Sequence, residues 1–124
     1  MEVLEITSTE DCPDILFNPN TGVFSISGRS LPEDPPSFFK PVFQWLSEYA
    51  LAPHAATLLN IKLDYFNTSS ARQVMELLIA LEKIESTDRT VTVNWYYVEG
   101  DDLMHDRGDE IASLVNVSVN VLPL

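Results

Sequence analysis

The residues of this chain best suited to chemistry are Asn67, Thr68, Ser69 and Ser70, which directly follow the aromatic pair Tyr65 and Phe66. An apolar run ends abruptly at Asn67, three hydroxyl residues follow, and a long helical pattern then begins. Hydroxyls in that position can accept hydrogen bonds from the first free N–H groups of a helix. They also lie at the carboxyl end of a strand, where open α/β sheets usually carry their working surface. Residue types alone favour the capping role. Ser70-Ala71-Arg72-Gln73 fits a capping box, in which Ser70 is the cap, Gln73 reaches back and Thr68 lies just outside the helix.

The other reactive side chains do not assemble into a site. Glu99, Asp101, Asp102, Asp106, Asp109 and Glu110 form an acidic segment, but without the alternating ligand spacing and central glycine of a calcium loop. His105 and Asp109 are four apart, and no second histidine supports them, so the segment reads as a solvated acidic loop and no metal is expected. His54 lies in a turn rich in proline and alanine. Cys12 is the only cysteine, and its acidic neighbours raise rather than lower a thiol pKa. There is no glycine-rich phosphate loop and no Cys–His or Ser–His pair with a third member. The expectation is a protein with no catalysis and no cofactor of its own.

The elements that must position the cluster are legible from periodicity. Val3 to Ile6 alternates as a short strand, and Ile15–Asn18 with Val23–Ser27 reads as a β-hairpin around Asn18-Pro19-Asn20-Thr21-Gly22, closed by Gly28. A proline-rich connector leads to a helix over Ser37 to Leu51, with Phe39, Val42, Phe43, Leu46 and Tyr49 on one face. Pro41 belongs in a first turn, which places the regular start near Phe39. Ala56 to Phe66 is apolar enough to suggest a central strand buried on both faces. A helix over Ser69 to Glu85 carries the stripe Val74, Leu77, Leu78, Leu81 and Ile84, widened by Met75 and Ile79. Val91 to Tyr97 alternates clearly as a strand. Glu99 to Gly108 reads as a loop before a short helix at Glu110 to Leu114, and Val115 to Leu122 as a last strand. On the strands, one of Tyr65 and Phe66 and at least one of Trp95, Tyr96 and Tyr97 should be core. The order predicts a single α/β domain over residues 1–124, a sandwich of a mixed sheet with an N-terminal hairpin and about three helices.

Composition bounds the partners. Seven basic against nineteen acidic residues give a formal charge of −12, which opposes binding to nucleic acid or an anionic membrane. An apolar fraction of 45% supports an ordinary core without metals or disulfides. No apolar run approaches the ~20 residues of a membrane span, and the N-terminus lacks the pattern of a signal peptide. A single cysteine suits a reducing compartment, and the expected location is cytoplasmic.

Leu63-Asp64-Tyr65-Phe66-Asn67-Thr68-Ser69-Ser70 resembles the signature of the SiaC family of bacterial regulatory phosphoproteins. Thr21-Gly22-Val23, Ser27-Gly28, Leu31-Pro32-Glu33 and Val91 to Tyr97 extend the resemblance along nearly the whole chain. The resemblance implies that Thr68 is phosphorylated by a dedicated protein kinase and dephosphorylated by a phosphatase of the protein phosphatase 2C type. It also implies that the unphosphorylated form binds and activates a diguanylate cyclase, raising cyclic di-GMP and promoting aggregation or biofilm formation. Tyr65, Phe66, Asn67, Thr68, Ser69 and Ser70 would then be the partner-binding stretch, with Ser69 and Ser70 as lesser phosphorylation candidates. The order of elements is also similar to the STAS fold of anti-sigma-factor antagonists, which implies an alternative: a partner-switching protein that binds an anti-sigma kinase.

Overall fold

The computed structural model describes residues 1–124 as six strands and three helices. In chain order they are β1 (Leu4–Ile6), β2 (Asp14–Asn18), β3 (Val23–Ser30), α1 (Pro35–Tyr49), β4 (Ala56–Phe66), α2 (Thr68–Glu82), β5 (Thr90–Tyr97), α3 (Asp102–Leu114) and β6 (Ser118–Pro123). The strands form one sheet in the order β1-β2-β3-β4-β5-β6, antiparallel from β1 to β3 and parallel from β3 to β6. The mixed sheet, opening hairpin and helix count are those expected from the sequence.

Strand order equal to chain order has a consequence for layering. Each parallel step moves across the sheet in the same direction, so right-handed crossovers bring all three helices to one face. Burial follows that geometry. Phe24, Ile26, Leu59, Ile61, Leu63, Val91, Val93 and Trp95 point into the core, which continues through Phe39, Leu46, Val74, Leu77, Leu78 and Leu81 on the helices. The alternate residues form an uncovered face. Across it, Leu16, Ser25, Asn60, Asn94 and Asn120 are in register. The Asn94 Nδ2–H donates to Asn60 Oδ1 at 3.2 Å, and the Asn120 Nδ2–H donates to Asn94 Oδ1 at 3.1 Å. The central strand is therefore buried on one face only, contrary to the reading of its apolar density. Lys62, Asp64 and Tyr65 are exposed, and Leu58 and Asn60 are half-buried.

Several boundaries also move, each for a local reason. Helix α1 begins at Pro35, earlier than the Pro41 rule implied. Asp34 is its N-cap, accepting from the Ser37 N–H at 3.3 Å and the Ser37 hydroxyl at 2.7 Å. Pro41 lies inside this helix with its ring exposed, so its missing N–H leaves the Ser37 carbonyl without that helical partner. Strand β3 runs through Gly28 to Ser30 and does not close there. Gly28, at φ 101°, sits where the register against β4 shifts by one residue. The acidic stretch is mostly helical: α3 starts at Asp102, capped by Asp101, whose carboxylate accepts from the Met104 N–H at 3.1 Å. Met104, Gly108 and Ile111 are its buried face. Gly108 is a packing residue, because a Cβ there would lie 2.5 Å from Trp95 Cδ1.

Candidate functional site

The site lies where β4 delivers the chain into α2. Phe66 ends the strand 8% exposed, edge-on to Trp95 with ring centroids 5.7 Å apart, so it is the core member of the aromatic pair. Tyr65, pointing the other way, is 48% exposed. Trp95 is likewise the core member of its triplet, its indole N–H donating to the Met104 carbonyl at 3.0 Å, while Tyr96 and Tyr97 are half-buried.

The helix cap is Asn67. Its backbone is extended at φ −89° and ψ 174°, and its side-chain oxygen accepts from the Ser70 N–H at 2.8 Å. Thr68 is therefore the first helical residue, Ser69 the second and Ser70 the third. Ser70 is neither the cap nor part of a docking surface. It is fully buried, and its Oγ accepts from the Ser30 hydroxyl at 2.9 Å, which ties the end of β3 to the start of α2. Gln73 is buried three residues further along α2 and closes no capping box. Of the six residues in the expected partner-binding stretch, Phe66 and Ser70 thus face inward, whereas Tyr65, Thr68 and Ser69 are exposed and Asn67 is half-buried.

Thr68 opens onto a groove of about 410 Å³ between α2 and α3. Phe66, Ala71, Met75 and Ile111 supply its apolar lining. Its charged lining is Arg72 and Glu76 from α2, with Arg107 and Glu110 from α3. The two arginines are site residues that the sequence reading did not single out. Arg72 follows Thr68 by one helical turn, a spacing visible in the sequence, whereas Arg107 comes from α3 and meets the groove only through the fold.

His105, Asp106 and Asp109 lie on α3 with donor atoms within 4.8 Å of one another. The His105 Nδ1 is 3.1 Å from Asp106 Oδ1 and 3.6 Å from Asp109 Oδ2. The hydrogen bond to Asp106, with the negative charges of Asp109 and Asp102 behind it, raises the imidazole pKa above 6.5, against an opposing effect of partial burial. All three groups are open to water, where a contact of this kind contributes little to stability. No helix is long and apolar enough to cross a membrane.

Comparison with known proteins gives this geometry a context. A family model described as SiaC family regulatory phosphoprotein matches residues 6–124. An uncharacterized protein of Pseudomonas aeruginosa (strain UCBPP-PA14) is 30% identical over 112 residues, spanning 90% of this chain and 86% of its own length. The crystal structure of apo-SiaC from Pseudomonas aeruginosa superposes with a TM-score of 0.89 at 25% identity, covering 98% of this chain and 99% of that one. A chain in the structure of the diguanylate cyclase SiaD in complex with its activator SiaC, also from Pseudomonas aeruginosa, gives a TM-score of 0.90 at 25% identity over the same shares. A family match over nearly the whole length, and the same fold at full coverage, lead to one conclusion: this chain belongs to the SiaC family of regulatory phosphoproteins.

Proposed function

We propose that this protein is a non-catalytic switch that binds and activates a diguanylate cyclase while Thr68 is unphosphorylated, and releases it when Thr68 carries a phosphate. The observation that carries this reading is the position of Thr68. It is exposed at the first turn of α2, its hydroxyl is not needed as a cap because Asn67 supplies one, and it stands at the rim of the groove. A kinase would transfer the γ-phosphoryl of ATP to the Thr68 oxygen, with loss of the hydroxyl proton. A phosphatase of the protein phosphatase 2C type would return the free hydroxyl with water. The ester adds nearly two negative charges and three acceptor oxygens. The fold accommodates them, because anions are favoured near helix N-termini and the Asn67 cap stays in place. A partner packed against the bare hydroxyl does not accommodate them, so the change acts at the interface. Raised cyclic di-GMP, and with it aggregation or biofilm formation in a cytoplasmic signalling system, is the downstream result. SiaC of Pseudomonas aeruginosa is described as the activator of the cyclase SiaD, which supports the cyclase as the partner class.

The test is co-purification from native lysate with wild-type, Thr68→Ala and Thr68→Asp baits. Wild type and Thr68→Ala should hold a diguanylate cyclase. Thr68→Asp should hold it at least about tenfold more weakly, since one introduced charge at a desolvated contact is worth ~1.4 kcal/mol or more. Equal retention by Thr68→Ala and Thr68→Asp would falsify the switch. Capture of an anti-sigma kinase in place of a cyclase would establish the alternative, for which the order of elements is the sole support.

A further inference from the structure

The groove beside Thr68 holds an arrangement that the charge of the chain makes unusual. Only four of 124 residues are arginine, yet two of them, Arg72 and Arg107, line the groove that Thr68 borders. They come from different helices. Neither is held by an acid: the ion pairs of the chain are those of Arg89 with Asp88 and of His105 with Asp106 and Asp109. Glu76 and Glu110 also line the groove and balance the arginines, so the unmodified groove is electrically neutral.

We infer that Arg72 and Arg107 form an intramolecular clamp for a phosphate on Thr68, closing the α2–α3 groove when the threonine is modified. The inference rests on the phosphorylation reading of Thr68 and adds where the phosphate goes. Residues four apart on a helix have Cβ atoms about 5–6 Å apart, and long side chains on a helix lean toward its N-terminus. Arg72 is thereby directed back toward Thr68 from one turn below. Arg107 approaches from the facing helix. A guanidinium offers a planar fork of donors that fits phosphate oxygens, and hydrogen bonds between ions of opposite charge are the strong ones. Two arginines neutralise the dianion, which the glutamates of the groove would otherwise repel.

The clamp changes what phosphorylation does to a partner. Charge alone would repel a ligand at one point, the first turn of α2. Arginine side chains drawn from α2 and α3 to one phosphate would also span the groove that Met75 and Ile111 line. Modification then removes a binding surface as well as adding a charge.

The experiment uses the full chain with phosphothreonine installed at position 68 during synthesis, so that no kinase is needed, and follows the phosphate by phosphorus NMR across pH. The second ionisation of a free phosphothreonine lies near pH 6. In the intact chain it should titrate about one pH unit or more lower than in the Arg72→Gln/Arg107→Gln double variant, as expected for an anion beside cations. The control is Lys83→Gln/Arg89→Gln, which removes the same charge at the far end of α2 and should leave the titration of the intact chain unchanged. Identical titration in the intact chain and the groove variant overturns the clamp, as does an equal change in the control. Both groove arginines are exposed, so the variant should fold, and the single substitutions Arg72→Gln and Arg107→Gln give the same comparison if it does not. Cyclase binding by the phosphorylated intact chain is measured separately. Undiminished binding would remove the switch reading while leaving the titration result to decide the clamp.

Discussion

Ser70 shows how one hydroxyl of the cluster is committed to the fold. Its Oγ and that of Ser30 are both fully buried and bonded to each other, 40 residues apart in the chain. Ser70→Ala leaves the Ser30 hydroxyl buried without its acceptor, and such an orphan costs about 1–3 kcal/mol. The Ser30→Ala/Ser70→Ala pair removes donor and acceptor together and should cost less than the sum of the two single changes. Urea unfolding of the four proteins checks this, and strictly additive losses would show that the bond contributes nothing. Thr68 has no such duty, so Thr68→Ala should unfold within about 0.5 kcal/mol of wild type, as exposed substitutions usually do. The hydroxyl cluster was legible in the sequence as a helix start, but its division of labour was not. Asn and Ser cap with nearly equal preference, so residue type does not choose between Asn67 and Ser70. Ser30 does, by engaging Ser70 from the end of β3. That contact shifts the helix start to Thr68 and brings the candidate phosphoacceptor into the first turn.

Helix α3 makes the same point at the scale of an element. Its first half is acidic and contains a glycine, which reads as a loop when only periodicity and composition are weighed. Two facts override that reading, one local and one tertiary. Asp101 caps the helix, and Gly108 lets α3 approach β5 so closely that Trp95 packs directly against its backbone. The approach carries Arg107 to the groove and places the Trp95 indole N–H on the Met104 carbonyl. Gly108→Ala tests the argument because two effects oppose each other. Alanine improves intrinsic helix propensity by about 1 kcal/mol. An added methyl in a packed contact costs about 1–3 kcal/mol, and the ring it meets is fully buried with no room to retreat. The expected result is net destabilisation in urea, with a shift in the emission of Trp95. A variant as stable as wild type would mean that α3 can lift from the sheet without cost, and that the groove is not rigidly set. Helices α1 and α2 needed no such override. Of their predicted stripes, Phe39, Val42, Leu46 and Tyr49 on α1 and Val74, Leu77, Leu78 and Leu81 on α2 are buried, whereas Phe43 and Met75 are half-buried and Ile79 is exposed.

The molecule as a whole has two unlike sides, because a sheet in sequential order receives all its crossovers on one face. The sequence misled here for a physical reason. In β4 the inward residues Leu59, Ile61 and Leu63 alternate with Leu58, which is apolar but only half-buried, so the strand reads as apolar throughout. The outward row across the sheet settles its own polar groups through the Asn60, Asn94 and Asn120 side chains, and needs no second layer to satisfy them. The opposite side ends in the groove of Thr68. If phosphate on Thr68 releases the cyclase directly, the cyclase should contact that groove, and the middle of the outward sheet face around Ser25 should lie outside the contact. Two substitutions of the same kind separate the sides. Met75→Lys places a charge in the apolar part of the groove, where Met75 is half-buried, and should weaken cyclase binding at least about tenfold, which corresponds to ~1.4 kcal/mol. Ser25→Lys places one on the outward face, beside Asn60 in register but outside the asparagine chain, and should leave binding within about twofold. Titration calorimetry against purified cyclase reads both, with circular dichroism to confirm that each variant is folded. Loss of binding in Ser25→Lys with retention in Met75→Lys would place the cyclase on the uncovered sheet. A phosphate on Thr68 could then act only through a change transmitted across the core.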